Sequence, residues 1–245
     1  MAYPHRISKN LALSNLYVQI LSLAPNIQAD YISLNNSAYN MSIAFSSVNV
    51  TINLANSGVN GRDTGSLTSG FWWLYLISNG KTIAGLASLS ATSPSMPSGY
   101  AYKRRVSVIN VYNSGALARP AIQCNDHYRY WGQQNTLISG GTAIFPTTVN
   151  ISSMIPSQVN IGQFFAYSTV TGDTEGNKQV KFSPEETTWQ TYLMSGYNSA
   201  VGCYVLNTQI FDMPVWNHPN IYYGWGAGTS GAAVSMCCVG FVFPL

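Results

Sequence analysis

The amino-acid sequence predicts an all-β protein: an antiparallel β-sandwich, jelly-roll-like or built from two packed sub-sheets, with at most one or two short helices. Apolar residues recur with a period of two along many short segments, which is the signature of half-buried strands. Helical periodicity is almost absent, and Gly, Pro and Asn clusters separate the apolar segments at intervals typical of sandwiches. A chain of 245 residues that is 46% hydrophobic can bury one large core or two modest ones.

From the N-terminus, Leu11 to Leu23 is one of two stretches that can be read as a short helix. Met41, Ile43 and Phe45 then alternate with polar or small residues, whereas Val48, Val50, Ile52 and Leu54 alternate in the opposite phase. A bulge or a strand break at Ser46-Ser47 permits that change of parity. Phe71 to Ile77 is continuously apolar and reads as a strand buried on both faces. Asn79-Gly80 favours a type I′ turn that returns the chain through Thr82 to Leu89. Ala91 to Tyr100, with Pro94, Pro97 and Gly99, must be a loop. Val106 to Tyr112 resumes as a strand, Asn113-Ser114-Gly115 turns it, and Ile122 to Trp131 brings the chain back.

Further strands are expected at Thr142 to Phe145, Val149 to Ser152, Gln163 to Thr169, Gln179 to Phe182, Val201 to Ile210, Tyr222 to Trp225 and Ala232 to Phe243. Pro184 to Met194 is the second helical candidate, because Ser183-Pro184-Glu185-Glu186 offers a cap residue, a first-turn proline and first-turn acids. The polar, glycine-bearing stretch Gly132 to Gly141 reads as the join between two sub-sheets. The division that follows is an N-terminal arm at 1–28, a β-module at 29–135 and a C-terminal β-region at 136–245, which can belong to the same sandwich.

Only 8% of residues are charged, against roughly a quarter in ordinary soluble domains. A surface of neutral polar groups repels its copies weakly, which favours an assembled state. The net charge of +3 is not concentrated, apart from Lys103-Arg104-Arg105, so no nucleic-acid footprint is present. That basic triplet either faces an acidic neighbour or solvates the start of a strand. No apolar run approaches the roughly 18 residues of a membrane span, and the interrupted Leu11 to Leu23 is not expected to be a signal peptide. Cys124, Cys203, Cys237 and Cys238 do not form a disulfide framework, and the adjacent Cys237 and Cys238 read as small buried hydrophobes.

The residues that carry chemistry are sparse, and no catalytic residue, metal ligand set or cofactor site is expected. Cys124 and His127 come nearest to a zinc pattern, but on one continuous strand residues three apart face opposite sides. Gly228-Thr229-Ser230-Gly231 lacks the spacing and the strand-turn-helix context of a nucleophile elbow. Glu185 with Glu186, and Asp173 with Glu175, read as solvated acids rather than the paired carboxylates of a glycosidase. One surface stands out: Trp216, His218, Tyr222, Tyr223 and Trp225 crowd a segment broken by Pro214 and Pro219. Flat rings beside Asn donors stack on sugars or anchor a partner, so Trp216, Tyr222, Tyr223 and Trp225 are the candidate partner or glycan contacts. The alternative is that they fill the core or a subunit interface.

Ser47-Val48-Asn49-Val50-Thr51-Ile52, Ser57-Gly58-Val59-Asn60-Gly61-Arg62-Asp63-Thr64-Gly65-Ser66, Trp72 to Asn79, Ala84-Gly85-Leu86, Ser88-Leu89-Ser90-Ala91-Thr92, Pro97-Ser98-Gly99-Tyr100 and Tyr102-Lys103-Arg104-Arg105-Val106 occur in that order. Together they resemble a module of tail-fibre-like and other virion proteins of tailed bacteriophages, over residues 29 to 131. The resemblance implies a non-enzymatic virion component on the phage particle surface, assembled in the host cytoplasm, and commonly a homo-oligomer. A fibre, tail-tip or head-fibre subunit, with a trimer favoured, is the first reading. It would contact other capsid or tail proteins and a host surface glycan, with no nucleic-acid partner and no membrane insertion. A capsid decoration subunit and a carbohydrate-binding or depolymerising protein are the alternatives.

Overall fold

A computed structural model describes residues 12–36, 38, 41–112, 116–131, 135–170, 176–187, 192–198, 205–226 and 231–245. The described residues form nineteen strands and no helix. No helix is therefore long and apolar enough among them to cross a membrane. The chain divides into two compact units, Met1–Gly132 with Leu245, and Gln133–Pro244.

The first unit contains β1 (Leu13–Ser14), β2 (Tyr17–Ile20), β3 (Asn26–Asn36), β4 (Ser42–Thr51), β5 (Gly61–Arg62), β6 (Gly70–Ser78), β7 (Ile83–Ser88), β8 (Tyr102–Tyr112), β9 (Ala116–Leu117), β10 (Ala121–Cys124) and β11 (His127–Tyr130). They run in the order β11-β10-β2-β3-β8-β6-β7-β5, with β1 and β4 also on β3 and β9 on β8. All of these pairings are antiparallel except β5 with β7.

The strands fold back as two layers. A Cβ added to Gly85 of β7 would lie 2.2 Å from Ile52 Cγ1 and 3.1 Å from Val50 Cγ1, so the end of β4 sits directly on β7. Elsewhere the layers are tied by a buried polar contact. Gln123 of β10 donates to the carbonyls of Val106 (2.9 Å) and Asn125 (2.7 Å) and accepts from Ser107 Oγ of β8 (2.7 Å). Every polar group of that buried amide is thus matched, as burial demands.

The second unit contains β12 (Asn135–Gly141), β13 (Thr147–Asn150), β14 (Ile161–Val170), β15 (Gly176–Ser183), β16 (Tyr192–Asn198), β17 (Val205–Pro214), β18 (Asn220–Trp225) and β19 (Ala232–Val242). Its first strand pairs with its last, its second with its seventh, its third with its sixth and its fourth with its fifth, all antiparallel. These nested ladders roll into two four-stranded sheets, β12-β19-β14-β17 and β13-β18-β15-β16. This is the complete eight-stranded jelly roll. The sheets face each other through aromatic rings: Phe211 of β17 lies 5.8 Å from Phe164 of β14 and 5.3 Å from Phe182 of β15 in the opposite sheet.

Several sequence expectations hold. Of Phe71 to Ile77, every residue from Trp72 on is buried and Phe71 is half-buried, 91–100 is a loop, and Cys237 and Cys238 are both buried. The parity change at Ser46-Ser47 is real: β4 buries Val48 and Val50 after half-burying Ile43 and Phe45. The expected bulge or strand break is not its cause: the change occurs inside one strand and without loss of register, with Ser47 at φ +53 and the residues on either side opposite β3 one to one.

Other expectations are corrected. Leu11 to Leu23 is not a helix. Leu13–Ser14 and Tyr17–Ile20 are strands, and the burial of Leu16, Val18 and Ile20 has a period of two that the helical reading overlooked. The described residues of Pro184 to Met194 are not helical either, since 184–187 bends and Tyr192–Asn198 is β16, while 188–191 lie outside the described residues. Asn79-Gly80 is not a type I′ turn. Only Gly80 has positive φ, and β6 and β7 are joined by four residues whose conformation the Asn79 carboxamide fixes, accepting from the Lys81 and Thr82 amides.

Ile122 to Trp131 is a hairpin, turning at Asn125-Asp126 with Asn125 at φ +52. Thr142 to Phe145 is not a strand, and only Ile144 makes an isolated bridge, to Trp225. Asn135–Gly141, read as a join, is the first strand of the jelly roll. The expected turn at Asn113-Ser114-Gly115, the acids Asp173 and Glu175, Cys203, and Gly228 to Ser230 lie outside the described residues.

Candidate functional site

The aromatic segment of the second unit divides according to strand alternation. Along β18, Ile221, Tyr223 and Trp225 are buried, while Tyr222 is only half-buried. Trp225 is 1% exposed and its indole Nε1 donates to the Gly141 carbonyl at 3.0 Å, linking the two sheets of the jelly roll. Tyr223 is 8% exposed, with its hydroxyl 2.5 Å from where a Cβ on Gly141 would stand. Neither ring is available to a ligand, so two of the four expected contacts belong to the core.

Trp216 and Tyr222 remain, and the fold brings acids and an amide to them. The turn between β17 and β18 is pinned beneath by Val215, which is fully buried and whose amide donates to the Asn160 carbonyl at 2.9 Å. It is pinned again by His218, whose Nε2 lies 2.7 Å from the Ile155 carbonyl. Between these anchors Trp216 and Asn217 are held outward, and Trp216 is 52% exposed. At the end of β15, Ser183 Oγ accepts from the Glu185 amide (3.2 Å) and donates to its carbonyl (2.7 Å), fixing the backbone at Glu185. Glu185 Oε1 then accepts the Trp216 indole N–H at 2.8 Å. Asn217 Nδ2 donates to the Tyr222 hydroxyl at 3.5 Å, the outer limit of such a bond.

These groups enclose an open depression of about 330 Å³, lined by Glu185, Glu186, Thr187, Trp216, Asn217 and Tyr222. That volume lies at the small end of small-molecule sites. Two aromatic rings, two carboxylates, an amide and two hydroxyls converge there, with no cationic side chain among the described lining residues. Glu185 and Glu186, read from the sequence as solvated acids, are therefore half-buried and exposed wall residues of the depression. The signal for Trp216 and Tyr222 was legible in alternation and in the prolines that bracket the turn. The approach of Glu185 depends on which strands pair, which local sequence does not encode.

The basic triplet serves the first unit from within. Lys103 Nζ donates to the Thr92 carbonyl (2.9 Å), Arg104 to those of Ala12 (3.0 Å) and Ser33 (3.4 Å), and Arg105 to that of Ala91 (3.1 Å). Arg105 also lies 4.8 Å from the centre of the Trp73 ring, within cation–π range. Burial pushes the pKa of both Lys103 and Arg104 below the ordinary values. The three cations thus bind loop and strand carbonyls.

Cys124 and His127 stand directly opposite one another across the β10–β11 hairpin, which overturns the expectation that they face apart. Among the described residues no group of three or more His, Cys, Asp or Glu is placed to hold a metal ion. No protein-family model matches the chain, and no curated protein matches it.

Proposed function

We propose that this protein is a bacteriophage virion structural protein, a surface-exposed fibre or tail-tip or head-fibre subunit that acts through assembly and host attachment rather than catalysis. The observation that carries this reading is the complete jelly roll of 133–244, joined in one chain to a module that resembles fibre-type virion proteins. Jelly rolls are an architecture of viral capsid and lectin domains, so the fold supplies an analogy and the surface must supply the role. The surface is consistent with self-association: only 8% of residues are charged, and Ile144, Ile210, Trp131 and Tyr112 are each at least 60% exposed. A homo-oligomer, with a trimer favoured, would cover such residues while meeting little charge repulsion.

Peptide mass spectrometry of gradient-purified particles, combined with a particle reconstruction, tests the proposal. The protein is expected at a fixed copy number at one surface position. Its absence from intact particles would rule the proposal out. Native mass spectrometry of the purified chain should give a closed oligomer, and a monomer at every concentration would remove the assembly part.

A further inference from the structure

We infer that the depression on the jelly roll is a saccharide subsite, built for a neutral pyranose and set against acidic sugars. The inference rests on the attachment role proposed above and specifies the ligand class at this one place.

The chemistry follows from the wall. A pyranose has an apolar face of C–H bonds and a rim of hydroxyls, so it needs one flat ring and several groups able to accept or donate around that ring. Of the two aromatic rings that line the depression, Trp216 and Tyr222, Trp216 is the more open one, half exposed. Its indole N–H is already bound to Glu185 Oε1 at 2.8 Å, which fixes the ring and leaves its faces free of that bond. Such prior fixing reduces the ordering cost of binding. Glu186, Thr187, Asn217 and Tyr222 supply acceptors and donors around the same space.

The sign of the charge decides the class. Among the described lining residues there are two carboxylates and no cation, so a uronate or a sialic acid would meet like charge and find no cationic side chain there to form an ion pair. Neutral hexoses carry no such penalty. Glu185 is a positioning residue here, acting through Trp216.

The test uses the full chain with maltotriose, cellotriose, chitotriose and lactose as neutral probes, and trigalacturonate and sialyllactose as acidic ones. Binding is read by saturation-transfer NMR and by isothermal titration. At least one neutral probe should bind, with an advantage of about tenfold or more over either acidic probe. Trp216→Ala should weaken it by about tenfold or more, as expected for loss of a central aromatic anchor. Trp216→Phe, which keeps a ring, should retain part of the affinity. Glu185→Ala should weaken neutral binding, and Glu185→Gln, whose amide oxygen can still accept the indole N–H, should restore it. The combined Glu185→Gln and Glu186→Gln variant should reduce the discrimination against trigalacturonate.

Binding of none of the neutral probes overturns the inference, and so does binding that is indifferent to Trp216→Ala in a variant with an unchanged circular dichroism spectrum. Preference for an acidic probe overturns it equally. If the protein is present on particles yet binds no saccharide, the subsite fails and the virion role stands. If it binds neutral saccharides but is absent from particles, the virion role fails and the subsite stands.

Discussion

Replacing Gly224 by Ala tests the jelly roll at a point where the backbone allows no side chain. Gly224 lies on β18, and a Cβ there would stand 2.2 Å from the Phe145 amide nitrogen, 2.4 Å from Phe145 Cα and 2.6 Å from the Ile144 carbonyl carbon. All three are main-chain atoms, so no rotamer change relieves the clash and the 144–145 segment must move away. Moving it breaks the bonds from Phe145 N to the Trp225 carbonyl (3.2 Å) and from Trp225 N to the Ala143 carbonyl (2.9 Å).

Overpacking costs about 1–3 kcal/mol and each lost bond about 1 kcal/mol. The expected destabilisation is therefore about 3–5 kcal/mol, a large share of the roughly 5–15 kcal/mol that holds a domain together. Gly226→Ala, two residues along, is the control. Its Cβ would meet nothing within 4 Å, and the substitution should change stability by less than about 1 kcal/mol. Differential scanning calorimetry of the two variants suits a chain of two units, whose transitions need not coincide. Equal thermal shifts for the two would refute the placement of Gly224 against 144–145.

Three further outcomes follow. Gly85→Ala should destabilise the first unit by about 1–3 kcal/mol through its clash with the fully buried Ile52. Combined with Ile52→Ala it should cost less than the two single changes added, and strict additivity in urea denaturation would place the two residues apart. Gln123→Leu should cost about 2–3 kcal/mol, because it leaves the Ser107 hydroxyl and two carbonyls without their buried partner, and an unchanged urea midpoint would count against that tie. In the native protein a thiol reagent followed by peptide mapping should modify the exposed Cys124 and spare the buried Cys237 and Cys238, and labelling of either buried thiol without denaturant would contradict the packing of β19.

Fold class was legible because period-two alternation survives wherever one strand face meets the core, as in β18 and β4. Misreadings occurred where local signals outran tertiary context. The capping pattern at Ser183 to Glu186 is genuine as a local motif, since Ser183 does bond to the Glu185 backbone, yet β15 and β18 hold the chain in a different path. Asn79-Gly80 carries the turn residues of a two-residue hairpin, but the β6–β7 register closes at Ser78 and Ile83 and requires four.

The candidate site was half legible. Alternation and the flanking prolines expose Trp216 and Tyr222, whereas Trp225 and Tyr223 have the same composition and are consumed by the core. Glu185 reaches Trp216 from 31 positions away, and only the antiparallel pairing of β15 with β18 brings the two chain segments together.

That pairing, and the nested order it belongs to, underlies both the site and the assembly proposal. Cross-strand NOEs between backbone protons of the isotopically labelled protein measure it most directly. The expected contacts join Phe164 to both Phe211 and Cys238, Val149 to Ile221 and Phe182 to Tyr223. A meander, in which β13 contacts β14 and β17 contacts β18 as sequential neighbours, would contradict the jelly roll and dissolve the depression with it.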